Sequence, residues 1–371
     1  MDRLGFFKQG LSSLIEVAQS IVGLKHAAES FTEAVDEALS NIKTDIGLHL
    51  LSVDGDIYDQ PKGTLLELAR MGYSTLETGL YYGGKVHGMS AEAFKALANE
   101  AGLKITAAHL NHLYEPPVKG PDKENTGAND GPDKGAEGVK GDDGAKEAEE
   151  GEKSEGAEGV KEVDGAAGAV KGEAAEDANK EVAAEVAVDD ENAPNYQWWS
   201  KALDTHLKLG CQYITSSRIA DYPTAEDVVT YAEYFNNIGR WTADRGMQFC
   251  YHPDAAALRK KDGEKSIFEI IAERCDQEKV CFQIDTFEAL EAGVDVMELL
   301  KTYGKRIILL HLHDERNTCE SGRIDFDNII KKGIETGVKD IFIEVRSFSF
   351  PPMKCVERSL YNVQALHSIR Y

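Results

Sequence analysis

What this chain lacks narrows its class first. None of its six cysteines (Cys211, Cys250, Cys275, Cys281, Cys319 and Cys355) forms a CxxC pair, so neither a zinc finger nor a disulfide framework is read from them. Basic charge is in deficit: 41 Lys and Arg stand against 65 Asp and Glu, a net of −24. Gripping a phosphate backbone takes a basic stripe, so nucleic acid is excluded as a partner. A long apolar run is missing too. Leu11 to Ala28 is interrupted by Glu16, Gln19 and Lys25, which makes it too polar for a membrane span. Finally, no aromatic residue occurs between Tyr114 and Tyr196.

That last gap marks a separate kind of sequence. Residues 121–191 hold 23 acidic side chains against 8 lysines, a net of −15, in a background of Gly, Ala and Val. Gly135 to Lys140 and Gly156 to Lys161 repeat the same six residues. Such a composition cannot bury enough apolar surface to offset chain entropy, so residues 116–194 are expected to form a disordered acidic insertion. At the other end, residues 1–44 form an N-terminal extension. Leu11, Leu14, Ile15, Ala18, Ile21 and Val22 follow helical spacing and predict a retained amphipathic helix in a cytoplasmic protein. The alternative is export through a degenerate twin-arginine signal, with Leu4 following Arg3 where a second Arg should stand.

The remainder, residues 45–371, alternates strand and helix patterns. Strands are expected over 46–53, 75–78, 104–110, 212–215, 247–252, 280–285, 307–311 and 340–344. Helices are expected over 62–71, 91–101, 198–209, 225–245, 266–275, 294–303, 326–337 and 359–369. Gly72, Gly102, Gly210, Gly246 and Gly337 stand just past helix ends, where a left-handed cap belongs. Eight such units predict an α/β fold, a (β/α)8 TIM barrel carrying the N-terminal helical extension and the insertion after its third strand. Cys211, Cys250 and Cys281 fall in or beside strands and are read as small core hydrophobes.

In a TIM barrel the C-terminal ends of all strands meet at one rim. Three apolar runs end there in chemically capable residues: Val280 to Asp285, Ile307 to His311 and Asp340 to Glu344. Two carboxylates and an imidazole suit a divalent cation such as Mn2+, Mg2+ or Zn2+. Side chains two apart on a strand share a face, which adds His49, Glu77, His109, His252, Asp254, Gln283, His313 and Arg346 to the barrel-facing set. Of the ten histidines, five lie in that set.

The stretches Gly47 to Ser52, Met71 to Glu77 and Ala101 to His109 resemble the xylose isomerase-like sugar isomerase/epimerase superfamily. So do Tyr251 to Asp254, Gln283 to Asp285, His311 to Asp314, Gly322 to Phe326 and Ile343-Glu344. The resemblance implies a TIM barrel that binds a divalent metal and a small-molecule sugar or sugar derivative. It also implies four ligands, three of which carry over to Asp285, His311 and Glu344. The fourth, a Glu after the fifth strand, falls on Ala257. His313 stands where relatives often carry Lys, and Arg346 where they often carry an acid. Arg346 is therefore either a grip for an anionic ligand or a salt-bridge partner of Asp314 or Glu344.

The chemistry these residues suit is metal-assisted proton transfer alpha to a carbonyl, with Glu344 as general base and His252, Asp254 or Glu77 as partner acid. His49, Glu77, His109, His313 and Arg346 are the expected substrate contacts. Two other classes remain open. One is a non-catalytic sugar- or partner-binding barrel, and the other a lyase or hydratase acting on an oxidised sugar.

Overall fold

The computed structural model describes residues 45–116, 194–260 and 264–370. The predicted N-terminal helix and the acidic insertion lie outside those residues. Eight parallel strands close into a barrel: β1 (Ile46–His49), β2 (Thr75–Thr78), β3 (Lys104–His109), β4 (Tyr213–Ser216), β5 (Gln248–Tyr251), β6 (Val280–Asp285), β7 (Ile307–His313) and β8 (Asp340–Glu344). Their order around the ring is β1-β8-β7-β6-β5-β4-β3-β2, so β1 and β8 complete the closure. The outer layer is α1 (Pro61–Met71), α2 (Ala91–Glu100), α3 (Pro194–Leu209), α4 (Ala225–Ala243), α5 (Ile267–Arg274), α6 (Val296–Tyr303), α7 (Phe326–Thr336) and α8 (Pro352–Gln364). Among the described residues, no helix is long and apolar enough to cross a membrane.

The main core fills the space between strands and helices, with Phe94, Trp199, Phe235, Phe249, Phe268 and Phe282 fully buried. A second cluster, which includes Ala107, Cys250, Cys281, Leu309 and Phe342, packs apart from it. Gly47 makes room for that cluster, because a Cβ there would stand 2.5 Å from the Phe342 ring and 2.5 Å from Thr75 Oγ1. Burial pushes the Cys281 thiol up to about 11, as suits a packing residue rather than a nucleophile. All six cysteines are free.

The five expected C-cap glycines all have positive φ, from 72° at Gly246 to 113° at Gly72. Beyond shifts of one or two residues, the structure differs from the sequence reading at four places. β1 ends at His49, and Leu50–Val53 turn into a 3-10 helix leading to Asp54–Asp59, whose first turn carries Asp54 and Asp56. α3 starts at Pro194, four residues earlier than its apolar pattern. A short helix, Thr286–Ala292, follows β6 directly, because Asp285 Oδ1 accepts from the Phe287 and Glu288 amides and caps it. α8 begins at Pro352 and ends at Gln364, with a separate turn over His367–Arg370.

The point where the insertion leaves the barrel is closed by a reciprocal pair of hydrogen bonds. Glu115 N donates to Asn195 Oδ1 (2.9 Å), and Asn195 Nδ2 donates to Glu115 O (2.6 Å). Because the barrel tethers both ends to each other, replacing residues 117–193 by a short Gly/Ser linker is expected to keep the melting temperature within a few degrees and metal binding unchanged. Calorimetry and metal titration check this. Loss of either would make the segment a structural part of the barrel.

Candidate active site

Register brings the strand-end residues into one layer. His49 pairs with Glu77 across β1 and β2, Asp285 with His311 across β6 and β7, and His313 with Glu344 across β7 and β8. His49, Glu77, His252, Gln283, Asp285, His311, His313 and Glu344 are all buried, and His109 is nearly so. At the centre is His311. Its Nε2 meets the Glu77 carboxylate in a very short contact, and its Nδ1 lies 2.7 Å from Glu344 Oε2 and 3.9 Å from Asp285 Oδ2. Glu344 Oε1 takes His49 Nδ1 (3.2 Å) and accepts from Arg346 Nε (2.7 Å). Asp285 also contacts His313 Nδ1, at 3.0 Å from Oδ2.

A second chain of bonds runs through Gln283. Its Nε2 donates to Glu77 Oε1 (3.2 Å), and its Oε1 faces His252 Nδ1 (3.0 Å). The imidazole rings of His49, His109, His252 and His311 cluster at centroid separations of 5.0 to 6.4 Å, His49 stacked on His109 and His311 and the other pairs tilted. His109 Nε2 meets Ser217 Oγ at 3.2 Å, whereas its Nδ1 and His49 Nε2 are buried with no hydrogen-bond partner.

Electrostatics sort these rings. Burial pushes His252 down to about 4, and the His311 charge adds to that. Burial likewise pushes His109 well below its usual value. At His311 burial also disfavours the charged ring, but Glu77 and Glu344 outweigh it and raise it to about 10. Burial alone would raise Glu77, yet the His311 charge and hydrogen bond hold it at about 2. Glu344 is held well below the carboxylate range: burial opposes this, and His311 and His49 overcome it.

The three ligands expected from sequence fit a divalent cation. Glu77 holds the N–H of His311 Nε2, so a cation that displaced the Nδ1 proton would find that nitrogen beside Glu344 Oε2 and Asp285 Oδ2. A carboxylate orienting a ligating imidazole from behind is the usual support of such a ligand. Asp285 and His311 share one group of ligand atoms within 4.8 Å of one another with His252, Asp285 and Glu344 share another with His313, and His311 forms a third with His49 and Glu77. Asp254 is not in those groups. It is exposed, and its Oδ1 caps the short helix Ala255–Leu258 by accepting from Ala257 N at 2.8 Å.

A cavity of about 350 Å³ opens above this layer, lined by Ser217, His252, Asp254, Ala255, Ala256, Glu288 and Arg346. Arg346 pairs with Glu344, one of the two salt-bridge partners proposed for it, and also reaches Glu288 Oε1 (2.8 Å). Glu288 and Ser217 were missed in the sequence. Glu288 stands three residues after Asp285 and is pinned by Ala255 N at 2.8 Å; that spacing on a capped helix was its only signal. His49, Glu77, His109 and His313 sit in the layer below and do not line this cavity. A larger groove, about 660 Å³, runs along α3 past Ser200, Lys201, Asp204 and Lys208 and includes no barrel-facing residue.

A closed parallel barrel with clustered carboxylates and imidazoles at the carboxyl ends of its strands defines a TIM-barrel protein with a built polar site. Residues 185–362 match the protein-family model described as xylose isomerase-like TIM barrel. Over 121 residues, 31% of this chain, it is 30% identical to the inosose dehydratase of Mesomycoplasma hyopneumoniae strain 7448. That match spans 39% of the relative's length. A sugar phosphate isomerase/epimerase from Parabacteroides distasonis superimposes with a TM-score of 0.62 at 21% identity, covering 89% of this chain and 96% of that one. A D-allulose 3-epimerase from Methylomonas sp., solved in complex with D-allulose, gives 0.53 at 14% identity, covering 88% and 94%. An L-ribulose 3-epimerase gives 0.54 at 11%, covering 88% and 94%. At these identities the structural likeness establishes the fold.

Proposed function

We propose that the protein is a divalent-metal-dependent enzyme that moves the proton alpha to a carbonyl of a sugar or sugar derivative, as an isomerase or epimerase does. The observation that carries this reading is the orientation of His311, gripped from behind by Glu77 with its other nitrogen aimed at Asp285 and Glu344. A cation held by Asp285, His311 and Glu344 would polarise the substrate carbonyl and acidify the neighbouring C–H.

The chain's own groups supply the rest. Glu344, kept anionic by His311 and His49, takes the proton from carbon. Asp254 and Glu288 line the cavity and are placed to return a proton to the substrate. The half-exposed Arg346 guanidinium at the mouth favours a substrate bearing a carboxylate or phosphate, which would exchange places with Glu288.

The similarity to an inosose dehydratase supports a second reading on the same groups. Removal of the alpha proton is the shared first step. The electron pair then either recaptures a proton, giving an isomer or epimer, or expels a beta hydroxyl, which takes a proton from a cavity acid such as Asp254 or Glu288 and leaves as water.

Incubating the metal-loaded protein in D2O with ketohexoses, their phosphates and inososes separates these outcomes. Deuterium at the alpha carbon of an intact polyol chain marks isomerase or epimerase chemistry. A conjugated enone absorbance with loss of water marks a dehydratase. Neither change across that panel would sink the enzymatic reading and leave a sugar-binding barrel.

A further inference from the structure

Asp285, His311 and Glu344 approach a cation from three consecutive strands, β6, β7 and β8, which leaves the β5 side open. The carboxylate expected there is absent: Ala257 is buried, and its methyl cannot ligate. Asp254, the nearest carboxylate in sequence, is exposed, spends Oδ1 on a helix cap and belongs to none of the groups of converging ligand atoms. We propose that His252, at the end of β5, completes the metal centre as its fourth protein ligand, giving two imidazoles and two carboxylates. This rests on the metal-dependent reading above.

Placement and orientation both support it. His252 is 2% exposed, and a ring nitrogen of it, a carboxylate oxygen of Asp285 and a ring nitrogen of His311 lie within 4.8 Å of one another. Its tautomer is fixed from a distance. Gln283 Nε2 donates to the Glu77 carboxylate at 3.2 and 3.3 Å, so the amide can turn only its oxygen toward His252. His252 Nδ1, 3.0 Å from that oxygen, must then be the N–H, and the lone pair falls on Nε2. His252 is also part of the cavity wall, so the ring borders the space a substrate enters. Glu77 thereby orients both imidazoles, His311 directly and His252 through Gln283. Carboxylate or amide support behind each ligating histidine is how metal centres hold their geometry. Exchanging a carboxylate for an imidazole moves the site's preference from Mg2+ toward Co2+ and Zn2+.

The test is Co2+ titration of the chelator-treated full chain, read by visible absorption and by competition with a chromophoric chelator. The wild type is expected to bind one Co2+. His252→Ala should weaken it about a hundredfold or more and change the absorption envelope, and Gln283→Leu should weaken it about tenfold. A His252→Ala protein with unchanged affinity and spectrum would overturn this assignment while leaving the metal site intact. Absence of Co2+ binding by the wild type would overturn both. Should His252→Ala not fold, pulsed EPR of the Mn2+-loaded wild type with 15N-labelled histidine decides: coupling to two imidazoles is expected, and coupling to one overturns the proposal.

Discussion

An Asp285→Asn protein is expected to fold normally and to retain less than about a hundredth of the wild-type affinity for a divalent cation. The two oxygens of Asp285 differ in their surroundings, although His313 Nδ1 lies near both, 3.2 Å from Oδ1 and 3.0 Å from Oδ2. Oδ1 accepts from Phe287 N at 2.8 Å and Glu288 N at 2.9 Å, a cap that an amide oxygen still provides. Oδ2 faces His313 Nδ1 at 3.0 Å and His311 Nδ1 at 3.9 Å, and there the amide removes the negative charge a cation needs. Asp285→Ala is the harsher control. It removes the cap as well, costing about 1 kcal/mol more of stability. Elemental analysis after equilibration with Mn2+ or Zn2+, beside a melting curve, reads both effects. An Asp285→Asn protein with wild-type metal content would remove Asp285 from the ligand set, and with it the proposed chemistry.

Most of the barrel and most of its inner layer are legible in the sequence, for a reason visible in particular residues. A strand has a period of two, and every barrel strand delivers its last inward residue to one rim. Once Val280 to Asp285 is read as a strand ending in Asp285, Gln283 must share its face. Both reach the same layer, Gln283 by donating to Glu77 and Asp285 beside His311 and His313. What escaped depends on loops and on caps, which have no period. Leu50 to Val53 is as apolar as a strand, yet it turns, and only the acidic run starting at Asp54 hints at the helix beyond. Asp254 and Asp285 look alike in sequence, each at a strand end, but Asp254 is exposed where it caps while Asp285 caps from within the buried layer. Glu288 reaches the cavity through the helix that Asp285 starts, so it could not be placed before that helix was known. The residue types were readable; which oxygen faced which neighbour was not.

Glu77→Leu is expected to destabilise the metal-free protein by about 3 to 5 kcal/mol, a large part of the stability of a single domain. Glu77 is completely buried and bridges His311 Nε2 and Gln283 Nε2. Removing it strands two buried donors at once, one of them on a ring that would otherwise carry charge. The depression of Glu77 from 4.5 to about 2 corresponds to about 3 kcal/mol of preference for the anion, in line with that range. The elevation of His311 from 6.5 to about 10 records the same contacts from the other side, so the two are not added. Because Glu77 is depressed, its contribution is present above pH 4.5 and lost as the pH falls toward about 2. Because His311 is raised, its contribution is present below pH 6.5 and lost as the pH rises through about 10. The pair therefore stabilises most between those limits, near pH 5.5. Urea denaturation of wild type and Glu77→Leu at pH 5.5 and pH 9.5, with chelator present, measures it. The stability gap between the two proteins should narrow at the higher pH, as His311 loses its proton in the unfolded chain but must keep it in the folded one. A gap of equal size at both values would show that Glu77 acts by filling space, and the ion pair at the centre of the site would lose its role.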